Sequence, residues 1–128
     1  MQIRWVAGEI CEGVRYLHCN YIVHRDLKLE NVLVCQNYSQ LQIKLGDFGF
    51  ANKNEQEALS REYKGTRRAY MAPEIHSLLK DPSKPYDTYN ADIFALGVTL
   101  FALVFGRLPF EFATSDNPNY SHIASGNN

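Results

Sequence analysis

Apolar side chains recur at Ile3, Val6, Ala7, Ile10, Val14 and Leu17, the three-and-four spacing that puts them on one face of a helix. This pattern predicts an amphipathic helix of about four turns, ending near Cys19 and Asn20, with Asn20 as a left-handed cap. The pattern then shortens. "YIV" (21–23), "NVLV" (31–34) and "LQIKL" (41–45) have the length and β-branched content of strands, the last two separated by a polar turn, "CQNYSQ" (35–40). From Asp47 to Lys64 no period is visible, and a long loop is expected; such loops inside compact domains are usually functional. "PEIHSLLK" (73–80) begins with proline where a helix tolerates it and predicts a short helix. "DPSKPYDTY" (81–89) is rich in turn residues. Asp92 to Phe105 is apolar all round, predicting a helix buried on every side and stopped by Gly106. The end, "SDNPNYSHIASGNN", reads as loop or frayed tail. No internal repeat is visible.

Composition narrows the class. The chain has 128 residues, 45% of them apolar and 21% charged, as in ordinary globular domains. A net charge of −1 offers no electrostatic footprint for nucleic acid or an anionic membrane. The oily run from Ile93 to Phe105 is broken by Gly97 and Thr99 and falls short of the roughly 20 residues of a membrane span. No secretory signal is visible. Cys11, Cys19 and Cys35 match no metal or disulfide framework and read as reduced core or near-core thiols of a cytoplasmic protein. The four histidines form no metal-binding pair.

The chemistry is concentrated in "VHRDLKLENVLV" (23–34). Asp26, Lys28 and Asn31 lie on a loop between two short strands, and Asp47 follows the next strand. Carboxylate and amide oxygens suit Mg²⁺, which takes one or two carboxylates together with substrate phosphates. A further carboxylate can accept a hydroxyl proton, and a lysine can neutralise a transferring phosphoryl group. The implied reaction is metal-assisted phosphoryl transfer to an alcohol.

"HRDLKLEN" (24–31), "DFG" (47–49), "GT" (65–66), "APE" (72–74) and "DIFALG" (92–97) follow one another in the order of the eukaryotic protein kinases, which the chain resembles over residues 3–112. The resemblance implies an α+β kinase-like fold: the mainly helical large lobe with short β-hairpins, incomplete. Residues 1–112 would be a partial kinase domain without its small lobe, and 113–128 a loop or tail running toward missing helices. It implies protein substrates, ATP and Mg²⁺. Asp26 resembles the catalytic base, Lys28 the residue that stabilises the γ-phosphate, and Asn31 and Asp47 the metal ligands. Leu33 resembles the floor of the adenine pocket, and Thr66 a hydrogen-bonding partner near Asp26 and Lys28. Glu30 sits where related kinases often meet a basic residue of the substrate. His24 would pack under Phe48, beside Gly49. Asp92 would brace the catalytic loop and also cap its helix, and Glu74 would pair with an arginine beyond residue 128. Lys28 with Thr66 is the serine/threonine pattern, and "LKLENVL" and "DFGFAN" look most like the calmodulin-dependent and AMP-activated branch.

Arg25 implies regulation, since a loop phosphate placed by an upstream kinase usually pairs with this arginine. Glu62 occupies the common phosphosite, leaving it either to supply a standing negative charge or simply to be a solvated glutamate, with Ser60 and Tyr63 as alternative phosphosites. "GTRRAYMAPE" (65–74) is one residue longer than the commonest spacing, leaving Arg67 and Arg68 either to favour acidic substrates or simply to be exposed. The 128 residues hold no GxGxxG loop and no VAIK-like run. The expectation is therefore a partial kinase sequence, inactive by itself. The alternative is a short, catalytically dead interaction module; a small-molecule phosphotransferase is disfavoured by the docking segment ending in "MAPE".

Overall fold

A computed structural model describes residues 2–53, 59–65 and 67–126. Helix α1 spans Ile3–Cys19 and buries Val6, Ile10, Val14 and Leu17, the stripe predicted from spacing. Its end differs from expectation. Asn20 has φ −100°, and Tyr21 takes the left-handed conformation at φ 60°. Asn20 still serves the terminus, because its side-chain amide donates to the Tyr16 carbonyl at 2.8 Å.

Strand β1 (Ile22–Val23) leads to a single 3-10 turn at Leu29–Asn31, then to the hairpin of β2 (Val32–Asn37) and β3 (Gln40–Leu45). The hairpin registers Val32 opposite Leu45 and Asn37 opposite Gln40. The six-residue turn predicted at 35–40 thus shrinks to Tyr38–Ser39, with Tyr38 at φ 52°. The strands extend because the backbone ladder is indifferent to side-chain polarity, and this hairpin exposes much of its surface. The long segment after Asp47 is stitched down by two short strands. β4 (Asn52–Lys53) pairs antiparallel with β1, and β5 (Leu59–Ser60) pairs antiparallel with β6 (Tyr86–Asp87). Two-residue strands carry no period, so sequence spacing could not announce them.

Helix α2 covers Pro73–Lys80, as the proline signal implied. Helix α3 runs Thr88–Phe105 and ends at Gly106, whose φ of 66° makes the left-handed stop. Asp87 caps α3, accepting the Asn90 N–H, so Asp92 lies inside the helix and does not cap it. Nor is α3 buried all round. It buries Thr88, Asp92, Ala95, Val98, Thr99 and Ala102, while Ile93, Val104 and Phe105 are exposed. α1, β1, β6 and two 3-10 turns pack against it, and these cover only the first of those faces. By length and hydropathy α3 could cross a membrane, yet its buried Asp92 ties it to the protein's own core.

The segment 113–128, expected to be loop or frayed tail, contains helix α4 (Pro118–Ala124), capped by Asn117 accepting the Tyr120 N–H. Pro118 at the first helical position and Asn117 before it are a start signal that the Ser/Asn-rich composition obscured. The cysteines also depart from expectation. Cys11 and Cys19 are exposed and Cys35 half-buried, all three as free thiols, because they lie outside the α1 stripe and on the open hairpin. One core cluster joins Val14, Leu27, Ala69, Tyr70, Ala95, Val98, Phe110 and Ala113; a second, around α2, joins Met71, Ala72, Ile75, Leu78 and Tyr86. The loop from His24 to Asn31 runs over the first.

Candidate active site

The loop after β1 needs a sharp reversal, and Arg25 makes it at φ 69°. A non-glycine residue holds that conformation only where its surroundings enforce it. Asp92 does so: its carboxylate accepts the backbone N–H of His24 at 2.8 Å and of Arg25 at 2.9 Å, and it meets His18 Nε2 at 2.9 Å. Through these bonds α3 reaches the start of the loop. His18 was not anticipated, and nothing in its spacing distinguishes it from other α1 residues.

His24 is fully buried and uses both ring nitrogens. Nδ1 accepts the Asp26 N–H at 3.2 Å, so the ring proton is on Nε2, which donates to the Gly46 carbonyl at 2.9 Å. Its ring lies 5.0 Å from that of Phe48. One imidazole thus joins the Asp26 loop to the residue before Asp47.

Asn31 makes the second connection. Its side-chain amide donates to the Asp26 carbonyl at 2.9 Å, which leaves its amide oxygen free of that bond. Its own carbonyl accepts the Gly46 N–H at 2.8 Å, continuing the β2–β3 ladder by one rung. Asn31 and Asp47 therefore flank the same end of the hairpin. Asp47 has φ 55°, and its Oδ1 accepts the Gly49 N–H at 3.3 Å. A Cβ at Gly49 would lie 3.2 Å from that same oxygen, so a bare α-carbon suits the position.

Lys28 Nζ is 3.4 Å from Asp26 Oδ2, and both side chains are largely buried. Leu33 projects from β2 over Gly46 and is 47% exposed. The hydroxyl of Tyr70, another residue that sequence spacing did not single out, accepts the Leu29 N–H at 3.3 Å. Glu30 is paired with Arg67. Burial would raise its carboxyl, but a backbone hydrogen bond and the Arg67 guanidinium prevail and hold it below the ordinary range.

The regulatory expectations fare differently. Arg25 Nη2 donates to the backbone carbonyl of Glu62 at 3.3 Å, while the Glu62 carboxylate turns to Lys64 at 2.5 Å. No Arg25–Glu62 side-chain ion pair forms here, because the lysine two residues away is the nearer cation. The same Glu62 carbonyl accepts the hydroxyls of Ser60 and Tyr86, both at 3.1 Å. Burial, then the nearby Asp26 charge and Tyr86, push the Tyr63 hydroxyl up to about 12. Glu74 stands half-buried in the first turn of α2. Thr66 lies outside the described residues.

The donor set suits the expected metal. Asn31 and Asp47 carry hard oxygens and stand at one hairpin end, and among the described residues no three His, Cys, Asp or Glu side chains gather to hold a metal ion. Two protein ligands with phosphates completing the shell is the way Mg²⁺ is ordinarily held.

A model of the protein kinase domain family matches residues 1–127. The chain is 42% identical over 109 residues to the serine/threonine-protein kinase STY46 of Arabidopsis thaliana, covering 85% of this chain and 17% of that protein. It is 41% identical over 108 residues to the serine/threonine-protein kinase ppk25 of Schizosaccharomyces pombe, with 84% and 24% covered. It is 42% identical over 109 residues to the human phosphorylase b kinase gamma catalytic chain, liver/testis isoform, with 85% and 26% covered. The chain thus spans about a quarter or less of the length of these curated relatives.

Proposed function

Since the chain belongs to the protein kinase domain family, we propose that it carries the phosphoryl-transfer centre of a protein serine/threonine kinase, taking the γ-phosphate of ATP to serine and threonine hydroxyls. One observation carries this reading: Asn31 is bonded to the Asp26 carbonyl through its side chain and to Gly46 through its backbone. These two bonds support the reading by tying the Asp26 loop, through Asn31, to the residue before Asp47.

Asp26 acts as the general base, orienting the substrate hydroxyl and accepting its proton. Lys28, beside it, offsets negative charge on the phosphoryl group in flight. Asn31 and Asp47 would hold Mg²⁺, which when bound neutralises phosphate charge. Leu33 offers an apolar surface to the adenine. The His24 bridge keeps Asp26 and Asp47 in register, a precondition for transfer because small misplacements cost large factors in rate. A phosphate put on Ser60 or Tyr63 by an upstream kinase would be read by Arg25, whose Nη2 meets the Glu62 carbonyl that also accepts the Ser60 hydroxyl.

The test is incubation of the full-length protein with labelled ATP, Mg²⁺ and a mixed protein substrate, followed by phosphoamino-acid analysis. Label on serine and threonine that vanishes in Asp26→Asn supports the reading. Label only on tyrosine, or equal labelling by Asp26→Asn, overturns it. The 128 residues contain no glycine-rich loop and no lysine-bearing strand of the family pattern. By themselves they are expected to transfer no measurable phosphate.

A further inference from the structure

Glu30 stands on the 3-10 turn that follows Lys28, four residues beyond Asp26. A carboxylate so exposed beside the centre would attract a cationic side chain from any segment presenting its hydroxyl to Asp26. That position is already filled from within the chain. Arg67 Nη1 donates to Glu30 Oε1, and the two side chains are 45% and 47% exposed.

The guanidinium has a second restraint, lying 5.7 Å over the Tyr70 ring. Tyr70 is itself buried, and its hydroxyl accepts the Leu29 N–H at 3.3 Å, next to Glu30. Leu29, Tyr70, Arg67 and Glu30 thus close a circuit between the catalytic loop and the segment entering α2. An intramolecular partner acts at an effective concentration of about millimolar, so a single basic residue on a dilute peptide competes poorly for Glu30.

Resting on the phosphoryl-transfer reading, we propose that Arg67 is a specificity-determining residue. By occupying Glu30 it removes the preference that a basic side chain would otherwise enjoy at the position facing Glu30.

Two fluorescein-labelled serine peptides test this, one with arginines on the N-terminal side of the serine and one with alanines there. Binding to the full-length protein is read by anisotropy, and turnover is read with ATP and Mg²⁺. The wild type should favour neither peptide by more than about twofold. Arg67→Ala should bind the arginine peptide about fivefold tighter, the order set by one partly exposed charge pair. Adding Glu30→Gln should remove that gain. Arg67→Gln, which keeps the stem over Tyr70, serves if the alanine variant fails to fold. A wild type that already prefers the arginine peptide, an unchanged preference in both Arg67 variants, or no binding of either peptide by any variant overturns the proposal. The binding switch without turnover would overturn the kinase reading alone. Turnover without the switch would overturn the role of Arg67 alone.

Discussion

Asp92 accepts the backbone N–H of Arg25 at 2.9 Å, across 67 residues of chain. The bond fixes a left-handed residue one position before Asp26, and its acceptor sits in the most apolar helix of the protein. Replacing Asp92 with alanine would strand the buried amide of His24 and the part-buried amide of Arg25 together. Asp92→Ala should lower stability by about 3–5 kcal/mol, the scale of a buried charged acceptor removed from its partners. Equilibrium denaturation by urea measures it, and a loss below about 1 kcal/mol would show that the loop does not need this brace.

His24 bridges Asp26 and Gly46 through both ring nitrogens. His24→Phe keeps the ring and its contact with Phe48 but leaves a buried N–H and a carbonyl without their partner. We expect a loss of about 2–3 kcal/mol, with backbone amide shifts at both Asp26 and Asp47 in NMR spectra. Shifts confined to Asp26 would show that the imidazole does not couple the two.

Two glycines should respond in different ways. A Cβ at Gly46 would fall 2.8 Å from Leu33 Cδ1, the mobile end of a half-exposed side chain that can turn away. Gly46→Ala should cost less than about 1 kcal/mol while moving the Leu33 methyl resonances. Gly106 has open space but φ 66°, so Gly106→Ala should cost about 1–2 kcal/mol from backbone strain alone. Thermal melts of the two variants decide the order.

Burial, then Asp26 and Tyr86, push the Tyr63 hydroxyl up to about 12, against 10.0 in the unfolded chain. The folded state therefore keeps this proton after the unfolded state has lost it. Tyr63's contribution to stability is fully present below pH 10 and is lost as pH rises toward 12. Tyr63→Phe should flatten stability against pH in that window. An unchanged slope would assign it wholly to Tyr70, Tyr86 and Tyr89, whose hydroxyls burial also raises.

The exposed side chains of Trp5, Tyr16, Ile93, Val104 and Phe105 leave apolar surface open on the 128-residue chain. The chain should bind an environment-sensitive apolar dye and self-associate with rising concentration. A monodisperse sedimentation profile without dye fluorescence would contradict this.

Much of the architecture was legible in residue spacing. The α1 stripe, the proline start of α2 and the glycine stop of α3 each rest on interactions a few residues apart, which local sequence encodes. Residue types and separation alone also drew attention to Asp26, Lys28 and Asn31. What escaped was non-local or obscured. The two-residue pairings of β4 and β5 depend on partners dozens of residues away. α4 was lost beneath a polar composition, although Asn117 and Pro118 marked its start. The uncovered side of α3 could not be foreseen from an all-apolar sequence, because burial depends on which neighbours arrive.

By itself, then, the sequence singled out the residues proposed for phosphoryl transfer and most of the helical stretches, since residue chemistry and short-range periodicity are written along the chain. Tertiary structure alone decided that Asp92 reaches back to Arg25, that one imidazole joins two loops, and that Arg67 rather than solvent meets Glu30. Those outcomes depend on distances between remote segments, which packing sets and no local pattern contains.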